Sequence, residues 1–256
     1  MSQRRFLLSP EELDLGLAAG GIELPPAEAA HAKNVLRLAP GAEVFLLDGA
    51  GREVRAILRE VTKRRVSCQP HEVRELTPLP PTLVLCPGLL KGPGMDTLAA
   101  KLTELAVDQV RPFTSQRSVV DLKDPAGRLE RWRRLSGQAL KQCNAPRRPF
   151  WAAPLPLAEL LDQAPAKAAR LLLYENEDGR SLAACLSAAR PAREVWLLVG
   201  PEGGFAPEEA ALAAARGFTL CGLPGPIARA ETASLTAAAV VRYGGWDLAA
   251  EAPSIS

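Results

Sequence analysis

The sequence predicts an α/β domain that follows a small N-terminal β-barrel. Strand-like and helix-like segments alternate from Thr82 onward, which is the pattern of a parallel sheet covered by helices. The runs 171–174 and 195–199 are apolar throughout, as expected of central strands that are buried on both faces. Residues 1–76 instead contain hairpin signals, so we predict a separate domain there.

The N-terminal barrel is predicted from short strands and turns. Three segments read as strands: 43–48, 53–58 and 65–69. The glycine-containing stretch 49–51 separates the first two and indicates a hairpin. Residues 76–81 hold three prolines and read as a linker. We therefore place a barrel domain at 1–76 and an α/β domain at 77–250.

The elements of the α/β domain follow from apolar runs and from helical spacing of apolar residues. In the helix predicted over 129–143, for example, Leu129, Trp132, Leu135 and Leu140 fall on one side. The predicted strands are 83–86, 110–113, 171–174, 195–199 and 219–221. The predicted helices are 95–107, 129–143, 207–217 and 230–243.

Composition narrows the class of protein. The chain has 256 residues, a formal net charge of +2 and five cysteines. Because the cysteines are odd in number and widely spaced, we expect no disulfide framework and no metal site, and a reducing cytoplasm fits best. No secretion signal and no membrane-spanning run is recognisable, so no membrane partner is expected.

The middle of the chain is basic. Residues 77–150 contain 12 Lys and Arg against 6 Asp and Glu. Within this region one helix face carries polar and basic residues at three- or four-residue steps, namely Arg128, Arg131, Arg134, Gln138 and Lys141. Such a face would supply salt-dependent affinity for nucleic acid. The alternative is an ordinary solvated helix face.

A candidate ligand site follows the strand predicted at 195–199. The strand ends in a turn rich in glycine and proline, 200–204, and a helix begins at Pro207. Ligands of open α/β sheets bind at such junctions, because glycines let backbone N–H groups approach them. The spacing is neither that of a dinucleotide fingerprint nor that of a phosphate-binding loop, so a different ligand is expected.

A second loop, 223–233, also carries glycine and proline and also leads into a helix. Together with the first loop it could form a slot for a flat apolar ring with polar edges. The alternative is two ordinary turns, with Arg229 and Glu231 as a surface ion pair. The segment 91–95 could touch an anion or be a simple turn. Because no nucleophile motif and no metal cluster is recognisable, group transfer from an activated donor is favoured.

The order of several motifs resembles the RsmE family of 16S ribosomal RNA uridine-N3 methyltransferases, in the SPOUT (α/β-knot) superfamily. The strongest similarity lies in Leu198-Val199-Gly200-Pro201-Glu202-Gly203-Gly204-Phe205, Pro207-Glu208-Glu209 and Arg229-Ala230-Glu231-Thr232-Ala233. Further similarity lies in Arg4-Arg5-Phe6, His31 with Val35-Leu36-Arg37, the segment 101–107, Arg117-Ser118-Val119 and Glu130-Arg131-Trp132.

The resemblance implies fold, activity and partners. It implies a PUA-like RNA-binding barrel, a trefoil-knotted SPOUT domain with helices on both faces of a parallel sheet, and a cytoplasmic homodimer. It implies transfer of a methyl group from S-adenosylmethionine to N3 of a specific uridine in 16S rRNA, in free RNA or in the small ribosomal subunit. No metal is implied.

The resemblance also implies roles for individual residues. The catalytic pair is Arg229 and Glu231. The cofactor-binding set is Leu172, Leu173, Tyr174, Gly200, Pro201, Glu202, Gly203, Gly204, Leu223, Gly225, Ile227, Ala228, Arg229 and Thr232. The RNA-binding set is Arg4, Arg5, His31, Arg37, Arg117, Arg131, Arg134 and Arg147.

The chain departs from the family pattern at two places. Pro226 stands where the family usually has an arginine, and Asn144-Ala145-Pro146 intervenes before Arg147 where a glycine commonly stands. These departures leave two alternatives open. The protein could be a non-catalytic RNA-binding or ribosome-assembly factor, or a SPOUT methyltransferase that acts on another RNA nucleotide.

Overall fold

A computed structural model describes residues 4–118, 124–177, 179–190 and 192–244. The chain divides into two compact units. The first runs to Pro78 and takes in Gly137–Arg148; the second consists of Leu79–Ser136 and the chain from Pro149 onward. Val119 of the quoted motifs and the end of the predicted second domain, 245–250, lie outside the described residues. The domain limits 1–76 and 77–250 stay predictions.

The first unit contains a five-stranded sheet. Its elements are β1 (Arg5–Leu7), α1 (Pro10–Ala18), β2 (Ile22–Glu23), α2 (Pro26–Ala30), a π-helical turn (His31–Val35), β3 (Glu43–Leu47), β4 (Arg52–Val61) and β5 (Val66–Glu75). The strand order is β1-β3-β4-β5-β2. β1 runs parallel to β3, whereas β3, β4, β5 and β2 pair antiparallel. The three predicted strands are confirmed, and one face buries Phe6, Val44, Leu46, Val54 and Leu58.

The first unit also contains helices that the strand-and-turn prediction for 1–76 overlooked. Helix α1 begins with a capping box: the Ser9 hydroxyl accepts from the N–H of Glu12, and the Glu12 carboxylate accepts from the N–H of Ser9. These bonds satisfy N–H groups that a helix start otherwise leaves unpaired. The sequence Ser9-Pro10-Glu11-Glu12 carried that signal.

Residues Gly137–Arg148 are tied into the first unit by specific contacts. Nζ of Lys141 donates to Oε1 of Glu28 over 2.8 Å, and both side chains are largely buried. The guanidinium of Arg5 donates to the carbonyl of Cys143. Lys141, predicted on a basic RNA-facing surface, is therefore already neutralised by a carboxylate.

The second unit contains a six-stranded sheet that is parallel throughout, in the order β13-β11-β12-β6-β7-β9. Its strands are β6 (Thr82–Pro87), β7 (Gln109–Val110), β8 (Phe113–Thr114), β9 (Phe150–Trp151), β10 (Leu155–Pro156), β11 (Ala169–Leu173), β12 (Glu194–Val199) and β13 (Thr219–Cys221), with β8 and β10 paired separately. Its helices are α3 (Gly94–Glu104), α4 (Pro125–Leu140), α5 (Leu157–Gln163), α6 (Leu182–Ala188), α7 (Pro207–Ala215) and α8 (Ala230–Tyr243).

Two apolar layers sandwich this sheet. In β12, Val195, Leu197 and Val199 pack with residues of α3, α4, α6 and α8. Trp196 and Leu198 pack on the other side with residues of α5 and α7. Side chains alternate between the faces of a strand, so a run that is apolar at every position serves both layers. This confirms the predicted α/β class, while the trefoil knot stays a prediction.

Candidate active site

A cavity of about 950 Å³ lies at the carboxyl ends of β11, β12 and β13. Residues of three loops line it: Tyr174, Glu175, Glu177, Arg180 and Ser181 after β11, Gly200, Pro201, Glu202, Gly204 and Phe205 after β12, and the segment 222–229 after β13. In a parallel sheet these strand ends share one edge, and this is where ligands of open α/β folds bind. The two glycine-containing loops that the sequence singled out therefore meet in one cavity.

The loop after β12 is a tight turn. The N–H of Gly204 donates to the carbonyl of Pro201 over 2.9 Å. Gly204 has φ of 66°, a conformation that favours glycine. A Cβ built on Gly204 would lie 3.1 Å from Oε1 of Glu175, so the glycine lets a carboxylate from the neighbouring loop come close.

Glu209, on the first turn of α7, fixes the end of the same loop. Oε2 of Glu209 accepts from the N–H of Ala206, and Oε1 accepts from the N–H of Gln116. Nη1 of Arg117 donates to the carbonyl of Gly203 over 2.9 Å. The glycine-rich loop is therefore bound by side chains or backbone groups on several sides, which holds its backbone in place.

The loops after β11 and β13 are joined through Gly222. Its N–H donates to the carbonyl of Arg180, and its carbonyl accepts from the N–H of Leu182. A Cβ at Gly222 would lie 2.3 Å from the carbonyl oxygen of Glu177, so no larger residue fits there. The two loops thus form one continuous wall of the cavity.

Charged side chains around the cavity fall into two groups. Glu177 pairs with Arg180 over 3.1 Å, and the Arg180 guanidinium lowers the pKa of the Glu177 carboxyl. Among the described residues, by contrast, Lys91, Arg229, Glu175 and Glu231 of the lining form no ion pair. The surface ion pair between Arg229 and Glu231, left open by the sequence, is therefore not formed in the structure.

Most of the predicted cofactor-binding residues line this cavity, and so does Glu231. Those that do are Leu173, Tyr174, Gly200, Pro201, Glu202, Gly204, Leu223, Gly225, Ile227, Ala228 and Arg229. Arg229 is exposed and precedes the first residue of α8.

Three predicted cofactor-binding residues do not line the cavity. The side chain of Leu172 is fully buried in the layer on the opposite side of the sheet, because alternate residues of a strand point to opposite faces. The Leu172 side chain, predicted to bind the cofactor, therefore does not reach the cavity. Gly203 gives its carbonyl to Arg117, and Thr232 is exposed on α8 outside the lining.

Sequence reasoning missed several lining residues. Glu175, Glu177, Arg180 and Ser181 follow the end of β11 and line the cavity. Their position directly after an apolar run was the available signal, because such positions lie at the ligand-binding edge of a parallel sheet. Thr97, on the first turn of α3, carried no signal in the sequence.

The predicted RNA-binding residues are placed differently from one another. Arg4, Arg37 and Arg134 are exposed. His31 is half-buried, with its ring 6.3 Å from that of Phe6 in an edge-on arrangement, and Arg147 is half-buried.

Arg5 is not available to RNA, which corrects the prediction. Its side chain is 9% exposed, it pairs with Glu53 over 3.4 Å, and it donates to the carbonyl of Cys143. Arg131 is exposed, but its Nε donates to Oδ1 and Oδ2 of Asp96 at 3.0 and 2.8 Å, and its Nη2 donates to Oδ2 at 2.7 Å. The Asp96 carboxylate raises the pKa of Arg131.

Neither a metal cluster nor a membrane span is present in the part of the chain that the structure describes. No group of three His, Cys, Asp or Glu side chains there could hold a metal ion. None of the helices there is long and apolar enough to cross a membrane.

Comparison with known proteins agrees with this fold and site. Residues 77–242 match the family model of the RNA methyltransferase domain, and residues 24–70 match that of the RNA methyltransferase PUA domain. The class that the fold and the cavity define is thus that of the RNA methyltransferases.

Similar proteins narrow this class to one family. Ribosomal RNA small subunit methyltransferase E of Synechocystis sp. is 30% identical over 93% of this chain and 76% of its own length. The Bacillus subtilis protein of the same name is 28% identical over 84% and 87%. The Neisseria gonorrhoeae protein of that name, solved bound to S-adenosyl methionine, has a TM-score of 0.82 and 30% identity over 93% and 96%. The chain belongs to the ribosomal RNA small subunit methyltransferase E family.

Proposed function

We propose that this protein transfers the methyl group of S-adenosylmethionine to N3 of a specific uridine in 16S ribosomal RNA. The observation that carries the proposal is the cavity at the carboxyl ends of β11, β12 and β13, with Arg229 at its rim. The similar protein from Neisseria gonorrhoeae is described as bound to S-adenosyl methionine. The name of the curated relatives supports small-subunit ribosomal RNA as the substrate.

The chemistry of the lining fits this donor. S-adenosylmethionine carries a flat adenine ring, a ribose with two hydroxyl groups, positive charges on sulfur and on its amino group, and a carboxylate. Leu173, Leu223 and Ile227 offer apolar surface for the ring, and Ile227 is 87% exposed. The carboxylates of Glu175 and Glu231 offer acceptors for hydroxyl groups and for positive charge.

Methyl transfer breaks the donor's carbon–sulfur bond with its electron pair left on sulfur, forms a bond from uridine N3 to the methyl carbon, and releases the N3 proton. The protein therefore has to position N3 in line, exclude water and manage that proton. Arg229 donates hydrogen bonds to a uracil carbonyl and stabilises its developing negative charge. No ion pair occupies the guanidinium among the described residues, so its donors are free for this.

Glu231 accepts the N3 proton, directly or through a water molecule. Its carboxylate lines the cavity one helical position after Ala230 and forms no ion pair within the described chain. A second role for Glu231 would be to orient the Arg229 guanidinium, which requires a contact between the two side chains. No such contact is present among the described residues, which favours proton acceptance.

The proposal also covers RNA binding, cellular location and oligomeric state. The exposed arginines of the first unit, Arg4 and Arg37, bind the RNA, and the protein works in the cytoplasm as a homodimer. The large side chain of Tyr243, the last residue of α8, is 67% exposed and supports a second copy. The trefoil knot belongs to the same set of predictions.

Titration calorimetry and nucleotide mapping test the proposal. We expect the purified protein to bind S-adenosylmethionine, and to methylate small ribosomal subunits taken from cells that lack the gene. Mapping the modified base should place the methyl group on N3 of one uridine. Absence of donor binding would favour a non-catalytic RNA-binding or ribosome-assembly factor. Methylation of another base would favour a SPOUT methyltransferase that acts on another RNA nucleotide.

A further inference from the structure

The cavity extends beyond the three loops of the donor site. Its volume of about 950 Å³ lies at the upper end of the roughly 300–1,000 Å³ of pockets for one small ligand. A fourth wall comes from the connection between β6 and α3, where Lys91, Pro93, Gly94 and Thr97 line the cavity. This wall has no part in the donor site as described.

We infer that this fourth wall is the acceptor side of the cavity, where the ammonium group of Lys91 contacts an RNA backbone phosphate next to the target nucleotide. The inference rests on the proposed function, because it needs RNA to enter the cavity.

The position of the wall follows from the sheet. Along the shared edge the strands succeed one another as β13, β11, β12 and β6. The donor loops follow the first three, and the Lys91 turn follows the fourth. Helix α8 packs against α3 and β6, and the first turns of both helices line the cavity. Arg229, which precedes α8, therefore lies at the same end as Lys91.

The backbone of this wall is fixed against the glycine-rich loop. Oε1 of Glu202 accepts from the N–H of Lys91 over 2.8 Å. A Cβ on Gly88 would lie 2.5 Å from the nitrogen of Pro201, so the two backbones are in close contact. The hydrogen bond uses the amide of Lys91 and leaves its ammonium group free. Glu202, predicted to bind the cofactor, thus joins the donor loop to the acceptor wall.

Lys91 and Arg229 have hydrogen-bond donors that no carboxylate occupies within the described part of the chain. Three cations, Lys91, Arg180 and Arg229, and four carboxylates, Glu175, Glu177, Glu202 and Glu231, line the cavity. Arg180 is paired with Glu177, whereas Lys91 and Arg229 form no ion pair there. Their ammonium and guanidinium groups can therefore donate to the oxygens of a phosphate. RNA supplies a phosphate at every nucleotide, and phosphate contacts fix the position of a nucleic acid on a protein.

The test compares Lys91→Ala and Lys91→Arg with Lys167→Ala. Lys167 is exposed and precedes β11, at the edge of the sheet opposite the cavity. Affinity for 16S ribosomal RNA is measured without donor over a series of salt concentrations, and affinity for S-adenosylmethionine is measured separately by calorimetry. The second measurement also shows that each variant is folded.

We expect Lys91→Ala to weaken RNA binding by about tenfold and to reduce the slope of log affinity against log salt by about 0.7. Lys91→Arg keeps the slope because it keeps the charge, and Lys167→Ala changes neither quantity. The affinity of Lys91→Ala for S-adenosylmethionine should stay within about twofold of the wild-type value, because the lost contact is one to an RNA phosphate.

Two outcomes would overturn the inference alone. One is a wild-type protein that methylates RNA while Lys91→Ala keeps the full salt slope. The other is a loss that appears in donor affinity, which would assign Lys91 to the donor's own carboxylate. A wild-type protein with a Lys91-dependent slope but no methyl transfer would support the phosphate contact of Lys91 and overturn the proposed function.

Discussion

Nη2 of Arg242 lies 2.5 Å from Oδ2 of Asp108, and the two side chains are only 1% and 12% exposed. The same guanidinium donates to the carbonyls of Leu79, Pro81 and Ala106. A single side chain near the end of α8 thus fastens the segment that enters β6 and the turn that follows α3. The proline-rich stretch predicted to be a linker is anchored at this point.

Replacing Arg242 should destabilise the second unit strongly. We expect Arg242→Ala to cost about 3–5 kcal/mol of unfolding free energy, because it leaves the Asp108 carboxylate buried without its partner. Urea unfolding followed by circular dichroism measures the loss. The exposed pair of Lys101 and Glu104 is the control: Glu104→Ala should cost at most about 1 kcal/mol. Equal costs for the two variants would contradict the argument.

Gly204 should be required for donor binding as well as for the turn. In Gly204→Ala the alanine would have to adopt a left-handed conformation, which costs about 1–2 kcal/mol of free energy. Its Cβ would also displace the Glu175 carboxylate. We expect donor affinity to fall more than about tenfold, since each 1.4 kcal/mol is tenfold. Gly20 is a matched control, with φ of 68° and no atom within 4 Å of its built Cβ.

Calorimetry on both variants separates conformation from contact. Gly20→Ala should lose stability while keeping donor affinity at the wild-type value. If Gly204→Ala also binds the donor as tightly as the wild type, the glycine-rich loop is not the donor site.

Removing the Arg229 guanidinium should slow methyl transfer rather than weaken the fold. We expect Arg229→Ala to lower kcat by about 10²–10³-fold at saturating donor and RNA. Arg229→Lys should recover only part of the rate, because an ammonium keeps the charge but not the planar set of donors. Arg216→Ala, which removes an exposed pair with Asp162, should leave kcat unchanged. Undiminished transfer by Arg229→Ala would remove Arg229 from the chemistry.

Asp48 should make the first unit sensitive to acid. Burial alone would raise its pKa, but hydrogen bonds from the Arg52 side chain and from the N–H groups of Arg52 and Ala50 outweigh burial and lower it. Because the folded pKa lies below the unfolded value of about 3.9, the stabilisation is present above that value. It is lost as the pH falls through the folded pKa.

Asp48→Asn tests whether the Asp48 carboxylate stabilises the first unit at neutral pH and loses this effect in acid. The variant should be less stable than the wild type at pH 7 by about 1–3 kcal/mol, and the difference should shrink as the pH falls below about 4. Urea unfolding at pH 7, 5 and 3 gives the three differences. Glu43→Gln, at the exposed pair with Arg55, should change stability little at pH 7. A difference for Asp48→Asn that persists undiminished at pH 3 would refute the assignment.

Much of the fold could be predicted because a buried strand or helix face requires a recognisable pattern of apolar residues in the sequence. The runs 171–174 and 195–199 are apolar because both sheet faces are covered, and they became β11 and β12. Short elements have no such recognisable pattern. β7 and β9 have two residues each, and α5 and α6 have seven, too few for a period to show. α1 was missed because its capping signal is local rather than periodic.

The site was predicted at the level of loops more reliably than at the level of side chains. Glycine and proline mark loops in any sequence, so the loops 200–204 and 223–233 could be expected to form one site, and residues of both line the cavity. The direction of a side chain depends on strand register, and this is why the sequence did not reveal that the Leu172 side chain is buried away from the cavity. Ion pairs could not be predicted from the sequence either, because the partners are distant in the chain: Arg5 pairs with Glu53, and Lys141 pairs with Glu28.

The first unit is completed by Gly137–Arg148, a stretch that follows the segment Leu79–Ser136 of the second unit in the chain. Neither unit can therefore be transplanted as one uninterrupted cassette. A chimaera that exchanged only the first 78 residues would pair an incoming Glu28 with a foreign residue in place of Lys141. Recombination between relatives should succeed only when both stretches are inherited together.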